Sequence, residues 1–404
     1  MGRCGPRSDR RRFMTRVYRL ALVGIALASN IAVISLLTWF SSKSEGPITA
    51  GLDLLGTTVG SIEHRIRESL DGRLGRSSEL AWFTRYRTDA DRLRRPDAVL
   101  LGAYDSALPK TLGGVVDLER TIGTTLPLVH VYTAWGDEPE RRFPLQLATA
   151  ICDMGSVPVI TWEPWLTDFE NTRHPFLPLR DVRDRHGMAA VASGDYDFYV
   201  DMWAADAARF GKPLFLRFAH EMNDPYRYPW GPQNNTKEEH IAAWRHVRER
   251  FERAGARNVI WTWSPHVAYP YWDTYYPGSQ YVDWVATGAL NYGSVGQQWS
   301  QWWTFHEIFG SKYRRLASFG KPIMVAEFGS LAVGGDRAGW YRDALTDFPK
   351  KYPAVRALLF FHAKNDQTVT YQKLDWSIEG DPVLAHTITA AIKRWTPEMP
   401  QGPR

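Results

Sequence analysis

Beyond Pro96 the sequence switches repeatedly between two periods. Eight short apolar runs, Ala98–Tyr104, Leu126–Tyr132, Val157–Trp162, Pro213–Phe218, Asn258–Trp263, Val282–Leu290, Pro322–Ala326 and Val355–Phe361, alternate with segments of helical spacing. Apolar runs this short, bounded by turn residues, read as strands buried on both faces. The intervening segments carry helix punctuation: Tyr196–Phe210 stops at Gly211, and Lys237–Ala254 opens with Thr236 and Glu239 at capping-box spacing and closes at Gly255. Eight strand-helix units over roughly 300 residues predict an α/β protein of the (β/α)8 TIM barrel class. A doubly wound open sheet also alternates, but its glycine-rich phosphate turn is absent here.

In this count two glutamates end strands: Glu221 ends the fourth and Glu327 the seventh. A barrel enzyme places its reacting groups at the C-terminal ends of its strands, so both are expected on one rim. Paired carboxylates across a cleft suit glycosidic-bond cleavage, with like charges raising one pKa so that a proton stays available for the leaving oxygen. The plain alternative is that one of them pairs with a core arginine such as Arg217. His220-Glu221 resembles half of a zinc-protease motif, but position 224 is Asp where a second histidine is needed. No His/Cys cluster stands at metal-ligand spacing, so neither a metal nor another cofactor is expected.

Charge locates the rest of the chain. The formal charge is +5, yet residues 1–40 hold seven arginines against Asp9, which leaves the remainder near neutrality. A nucleic-acid partner therefore has no basis on the main domain. The arginines precede Leu20 to Phe40, 21 uncharged residues, enough to cross a bilayer with the amino terminus on the cytoplasmic side. Four regions follow: a basic cytoplasmic segment (1–19), a membrane-spanning signal-anchor (20–40), a linker and lead-in (41–95) and the barrel (96–404). The expected location is membrane-anchored and extracytoplasmic, or secreted if cleavage falls near Ser29 after Ala26-Leu-Ala28. Cys4 and Cys152 fall on opposite sides of the membrane in this reading, so no disulfide framework is expected.

The motifs add a resemblance. Leu216-Arg-Phe-Ala-His-Glu-Met-Asn223 followed by Tyr228-Pro-Trp-Gly231, Val259-Ile-Trp-Thr-Trp-Ser-Pro265, Tyr275-Tyr-Pro-Gly278 with Val282-Asp-Trp284, and Met324-Val-Ala-Glu-Phe-Gly329 resemble the successive signatures of glycoside hydrolase family 26. The similarity spans residues 97–395 and implies a retaining endo-β-glycanase acting on a β-linked polysaccharide. It places the acid/base on Glu221, the nucleophile on Glu327, and a substrate-positioning histidine on His220. The family's strand-six tyrosine falls on Leu290 by strict register or on Tyr292 by a two-residue slip. Asp224 stands where the family usually has glycine, and the eighth strand, ending in Phe360-Phe-His-Ala-Lys-Asn365, lacks the tryptophan common there.

Aromatic content points the same way. Of 18 tryptophans, seven lie between Trp261 and Trp303, and the flat face of a pyranose stacks on such rings. Trp162, Trp165, Trp230 and Trp299 are the candidate sugar platforms, with Glu163 and Asn365 as hydroxyl ligands. The functional expectation is an exported, membrane-tethered β-glycanase, β-glucan favoured and β-mannan next. The bilayer contacts residues 20–40, and a polysaccharide synthesis or export complex is a further expected partner. A transglycosylase in exopolysaccharide processing and a non-catalytic glycan-binding or assembly protein on the same barrel remain the alternatives.

Overall fold

The computed structural model describes Arg76 and residues 79–295, 301–368 and 372–394, all within one unit, residues 64–404. The expected anchor at 20–40, Trp299 and Cys4 lie outside the described residues, as does most of the lead-in. Among the described residues no helix is long and apolar enough to cross a membrane.

Eight parallel strands close a barrel in sequence order: β1 Leu100–Asp105, β2 Leu128–Ala134, β3 Val157–Glu163, β4 Leu214–Phe218, β5 Val259–Trp263, β6 Trp284–Asn291, β7 Ile323–Ser330 and β8 Val355–His362. Each coincides with one predicted apolar run. Glu327 does not end its strand, as β7 runs three residues further, whereas Glu221 lies three residues beyond β4. The outer layer contains α1 Gly113–Ile122, α2 Leu145–Asp153, α3 Gly187–Ser193, α4 Asp197–Phe210, α5 Lys237–Arg253, α6 Ser311–Ala317, α7 Arg337–Leu345 and α8 Pro382–Ile392. Between β5 and β6 only short helical turns such as Trp272–Tyr275 take the helix position. The capping box of α5 forms as read, with the Thr236 hydroxyl accepting from Glu239 N and the Glu239 carboxylate from Thr236 N. Gly211 ends α4 at φ 66°, a left-handed conformation that glycine adopts without steric cost.

Strand alternation divides the interior into layers. Near the strand starts Leu100, Leu128, Val157, Val159, Phe215, Ile260, Trp284, Ala286, Met324, Ala326, Ala357 and Leu359 form one apolar cluster. Phe83, Tyr86 and Leu93 from the lead-in join it and close this end; the Trp284 indole N–H donates to Leu93 O at 2.9 Å. The lead-in is thus a plug for the barrel. It is tied further by a buried Arg76–Glu119 ion pair at 2.9 Å.

One strand breaks the alternation. With Met324 and Ala326 inward, Glu327 would face the helices and Phe328 the barrel axis. Instead the pairing of β6 with β7 skips Ala326, Thr287 opposing Val325 and Gly288 opposing Glu327. This bulge turns Glu327 inward and sends Phe328 out against Trp340 and Phe360. A bulge inserts one unpaired residue and re-aims the side chain after it, which is why such features gather beside active sites.

Candidate active site

Above the apolar plug the inward positions become polar. His130 and Tyr132 come from β2, Thr161 and Glu163 from β3, Arg217 from β4, Thr262 from β5 with Ser264 just beyond it, and Glu327 from β7. Arg217, with its side chain wholly excluded from solvent, organises them: Nη1 donates to Glu327 Oε1 at 2.7 Å and Nε to Ser264 Oγ at 2.9 Å. The Tyr132 hydroxyl donates to the same Glu327 oxygen at 2.9 Å. Burial would raise the Glu327 pKa, but the Arg217 guanidinium and the two hydrogen bonds outweigh it and hold the carboxyl well below its usual range. Burial pushes the His130 imidazole down to about 3, reinforced by Arg217, so it stays neutral. Its Nε2 lies 2.7 Å from Thr161 Oγ1.

Glu221 reaches the site differently. After Phe218 the chain leaves regular strand geometry, with Ala219 at φ 43° and Glu221 at φ 55°. The backbone stays tethered on both sides, Ala219 N donating to Trp162 O at 3.0 Å and Glu221 N to Ser264 O at 2.7 Å. Left-handed conformations in non-glycine residues persist where their surroundings over-determine them, and they cluster at functional sites. The Glu221 carboxylate is nearly buried, and its Oε2 accepts from Arg227 Nη1 at 3.3 Å.

The two carboxylates meet over Gly288. A methyl carbon built there would lie 3.4 Å from Glu327 Oε2 and 3.8 Å from Glu221 Oε1. Those oxygens are therefore no further apart than the sum of the two distances, about 7 Å, within the range in which carboxylate pairs work on one glycosidic bond. Glycine at this position leaves the space between them open.

The remaining predicted residues divide. His220 is buried beside the pair, its Nε2 3.1 Å from the Tyr228 hydroxyl and 3.9 Å from Glu163 Oε1. Burial first, then Arg217 and Arg227, push its pKa well down, so it is a neutral imidazole. Glu163 stands at the end of β3 and accepts from the Trp165 indole at 2.9 Å; burial raises its pKa against the pull of that hydrogen bond. Trp165 remains half-exposed next to Glu163. Tyr292 is half-buried, edge-on to Trp376 at 5.0 Å, and burial raises its hydroxyl's pKa, with both site carboxylates adding to the rise. A tyrosine hydroxyl that donates to Glu327 comes from Tyr132, across the barrel from the strand-six position.

Two tryptophan expectations are corrected. Trp162 is 0% exposed and packs outward among Trp135, Tyr199, Trp203 and Phe251. As Thr161 faces inward, strand alternation commits its neighbour to the helical layer. Trp230 is 2% exposed; its indole donates to His220 O at 2.7 Å and its ring stacks on Tyr228 at 4.6 Å. It braces the histidine and offers no face to a sugar. Asn365 occupies a left-handed turn after β8, exposed, with conformation accounting for its identity.

Several residues escaped the sequence reading. Arg217 entered only as a core partner, and it is that partner, yet the pair lies in the site itself. His130 and Tyr132 had a visible signal: two polar side chains at i and i+2 on one face of an otherwise apolar strand. Glu221, Asp224 and His266 bring one carboxylate oxygen each and a ring nitrogen within 4.8 Å of one another. No sequence spacing announced this group, because its members come from two loops, His266 lying 42 positions beyond Asp224.

Known proteins match this architecture. The sequence profile of glycosyl hydrolase family 26 matches residues 199–324. Endoglucanase H of Acetivibrio thermocellus is 31% identical over 300 residues, covering 72% of this chain and 30% of that protein. Mannan endo-1,4-beta-mannosidase A and B of Caldalkalibacillus mannanilyticus is 28% identical over 167 residues, covering 39% of this chain and 29% of that protein. The chain thus spans less than a third of the length of either relative. A GH26 beta-mannanase from Bacteroides ovatus shares the fold, with a TM-score of 0.53 at 17% identity over 78% of this chain and 92% of that one. The matched segment runs from α4 into β7 and so contains β4, the turn bearing Glu221, and the strand that brings Gly288 between the carboxylates: the chain belongs to glycosyl hydrolase family 26.

Proposed function

We propose that this protein hydrolyses a β-linked polysaccharide internally by double displacement, with Glu327 as nucleophile and Glu221 as acid/base. The observation behind this reading is the asymmetry of the pair. Glu327 is held ionised by Arg217 and Tyr132, both on Oε1, while Oε2 lies beside Gly288 towards Glu221. An ionised carboxylate with one oxygen committed to donors presents the other as nucleophile to an anomeric carbon. Glu221, on a tethered turn at the rim, then protonates the departing oxygen and afterwards activates water. Neutral His220 and Tyr228 line the same side and supply hydrogen bonds to sugar hydroxyls.

A β-glucan is the favoured substrate, β-mannan next; the endoglucanase name of the relative with the longer match supports that order. Transfer to a sugar acceptor in place of water is a close variant using the same intermediate. Residues 20–40 motivate the further proposal of a membrane tether that holds the barrel outside the cytoplasm, near polysaccharide being made or exported. A tethered protein stays in the membrane fraction through a high-salt wash, which strips charge-bound proteins; release by salt would refute the tether.

The decisive experiment compares two substitutions. Glu327→Ala should abolish turnover of all substrates, with azide restoring some activity and yielding a product of inverted configuration. Glu221→Ala should lose polysaccharide cleavage but still react with an aryl glycoside whose phenol departs unprotonated, azide then giving a retained product. Exchange of these two behaviours would reverse the roles, and wild-type turnover in both would remove the site from this pair.

A further inference from the structure

We propose that Glu221, Asp224 and His266 form a binding site for a transition-metal dication of the zinc type, and that its occupancy takes Glu221 out of proton transfer. The binding claim stands on geometry alone, whereas the consequence for Glu221 rests on the acid/base reading.

The ligand-bearing loops are fastened to each other. Glu221 and Asp224 share the turn after β4, closed by Asp224 N donating to Glu221 O at 2.9 Å. His266 lies in the loop after β5, and Asn223, between the two acids, grips that loop. Its Oδ1 accepts from His266 N at 2.7 Å, and its Nδ2 donates to His266 O at 3.2 Å and Tyr269 O at 3.0 Å. His266 Nε2 consequently sits 3.9 Å from Glu221 Oε1, and all three ligand atoms lie within 4.8 Å of one another. Zinc bonds of about 2.0–2.2 Å to nitrogen and oxygen place neighbouring ligand atoms a little over 3 Å apart, so side-chain adjustments of about 1 Å close the set.

Asp224 supplies the independent sign of a ligand. It is 1% exposed. Its Oδ1 accepts from Tyr226 N at 2.8 Å, but its Oδ2 is buried with no hydrogen-bond partner among the described residues. The neighbouring guanidinium of Arg227 is engaged with Glu221 Oε2. A carboxylate oxygen removed from water without a donor is strongly unfavourable, and a cation beside it resolves that cost. Two carboxylates neutralise a dication, and one imidazole with two oxygens suits zinc better than calcium, which takes six to eight oxygens. His266 Nδ1 at present accepts from Ala268 N at 3.1 Å. Coordination through Nε2 moves the ring proton to Nδ1, and Ala268, being exposed, can turn its N–H to water.

A coordinated Glu221 carboxylate is held ionised with no proton to donate, its basicity is lowered by the metal and its other oxygen is engaged by Arg227, so the metal would act as an inhibitor gripping the acid/base. The test uses the untagged full chain, stripped with chelator, dialysed and titrated with Zn2+ by calorimetry, with Co2+ absorbance as a second readout of the ligand set. A saturable site should appear that weakens at least about tenfold in Asp224→Asn and in His266→Gln, while His186→Gln, at an exposed position outside the ligand set, binds as wild type. Circular dichroism confirms that each variant is folded; His266→Gln changes a side chain that is only half-buried. Absence of saturable binding, or wild-type affinity in either variant, overturns the site. Zinc at saturation should suppress polysaccharide cleavage, reversibly with chelator; undiminished cleavage overturns the silencing role. A chain that binds zinc in this pattern but cleaves no polysaccharide would refute the hydrolase reading while leaving the metal site intact.

Discussion

The two ends of the barrel interior are built on the same strands and the same alternation but hold opposite chemistry. At the lower end Phe83, Tyr86 and Leu93 seal a cluster made almost wholly of aliphatic and aromatic side chains. At the upper end Arg217, His130, Thr161, Tyr132 and Glu327 occupy the equivalent inward positions. The lower layer stabilises by excluding water, needing only volume and shape. The upper layer keeps ionised groups away from water, so its members depend on one another, and loss of one strands the rest.

Arg217→Met should break the contrast most severely. It fills the space but leaves the Glu327 carboxylate buried without its cation, an expected loss of about 3–5 kcal/mol in denaturant unfolding together with near-complete loss of turnover. A variant as stable and active as wild type would show the pair to be dispensable. The same pair fixes an acid limb. The folded pKa of Glu327 lies below its ordinary 4.5, so its contribution is complete above about pH 4.5 and fades as pH falls through the lowered value. Glu327→Gln should flatten that part of the stability profile, and an unchanged profile would refute the linkage.

Phe83→Ala probes the other end, where a loss of about 3–5 kcal/mol in unfolding free energy is expected, with kcat unchanged at temperatures where the variant is folded. A selective fall in kcat would mean that the plug communicates with the site. Gly288→Ala should be nearly silent in stability, because the added methyl meets its neighbours at ordinary contact distance. It should nonetheless lower kcat/KM by about tenfold to a hundredfold by occupying the space between the carboxylates. Tyr132→Phe removes one hydrogen bond to a charged acceptor, worth about 1.5–3 kcal/mol, and should cost roughly tenfold to a hundredfold in kcat with little change in KM. An effect confined to KM would assign Tyr132 to sugar binding.

The strands, the capping box of α5 and the residues around Glu221 were readable because each rests on local pattern: apolar runs, a cap spacing, a motif. What was hidden is non-local. Trp162 looked like a rim residue from its place near a strand end, but the direction of its neighbour Thr161 decides its own. Trp230 is claimed by the carbonyl of His220 and the ring of Tyr228, neither evident in a linear spacing. Tyr132 donates to Glu327 from the wall opposite strand six, and this contact was hidden because opposite walls of a barrel are close in space and remote in sequence. Asp224 was visible as a departure from the family's glycine, but its proximity to His266 depends on how two loops are pinned by Asn223.

The bulge at Ala326 makes the direction of Glu327 a matter of counting. Were the strand regular at its present length, unbroken pleating would point the carboxylate at the helices and put Phe328 on the axis. A single in-frame loss of the Ala326 codon would thus remove the bulge yet leave Glu327 facing the axis, whereas closing the bulge at constant length would disarm the site with every chemically important amino acid still in the gene.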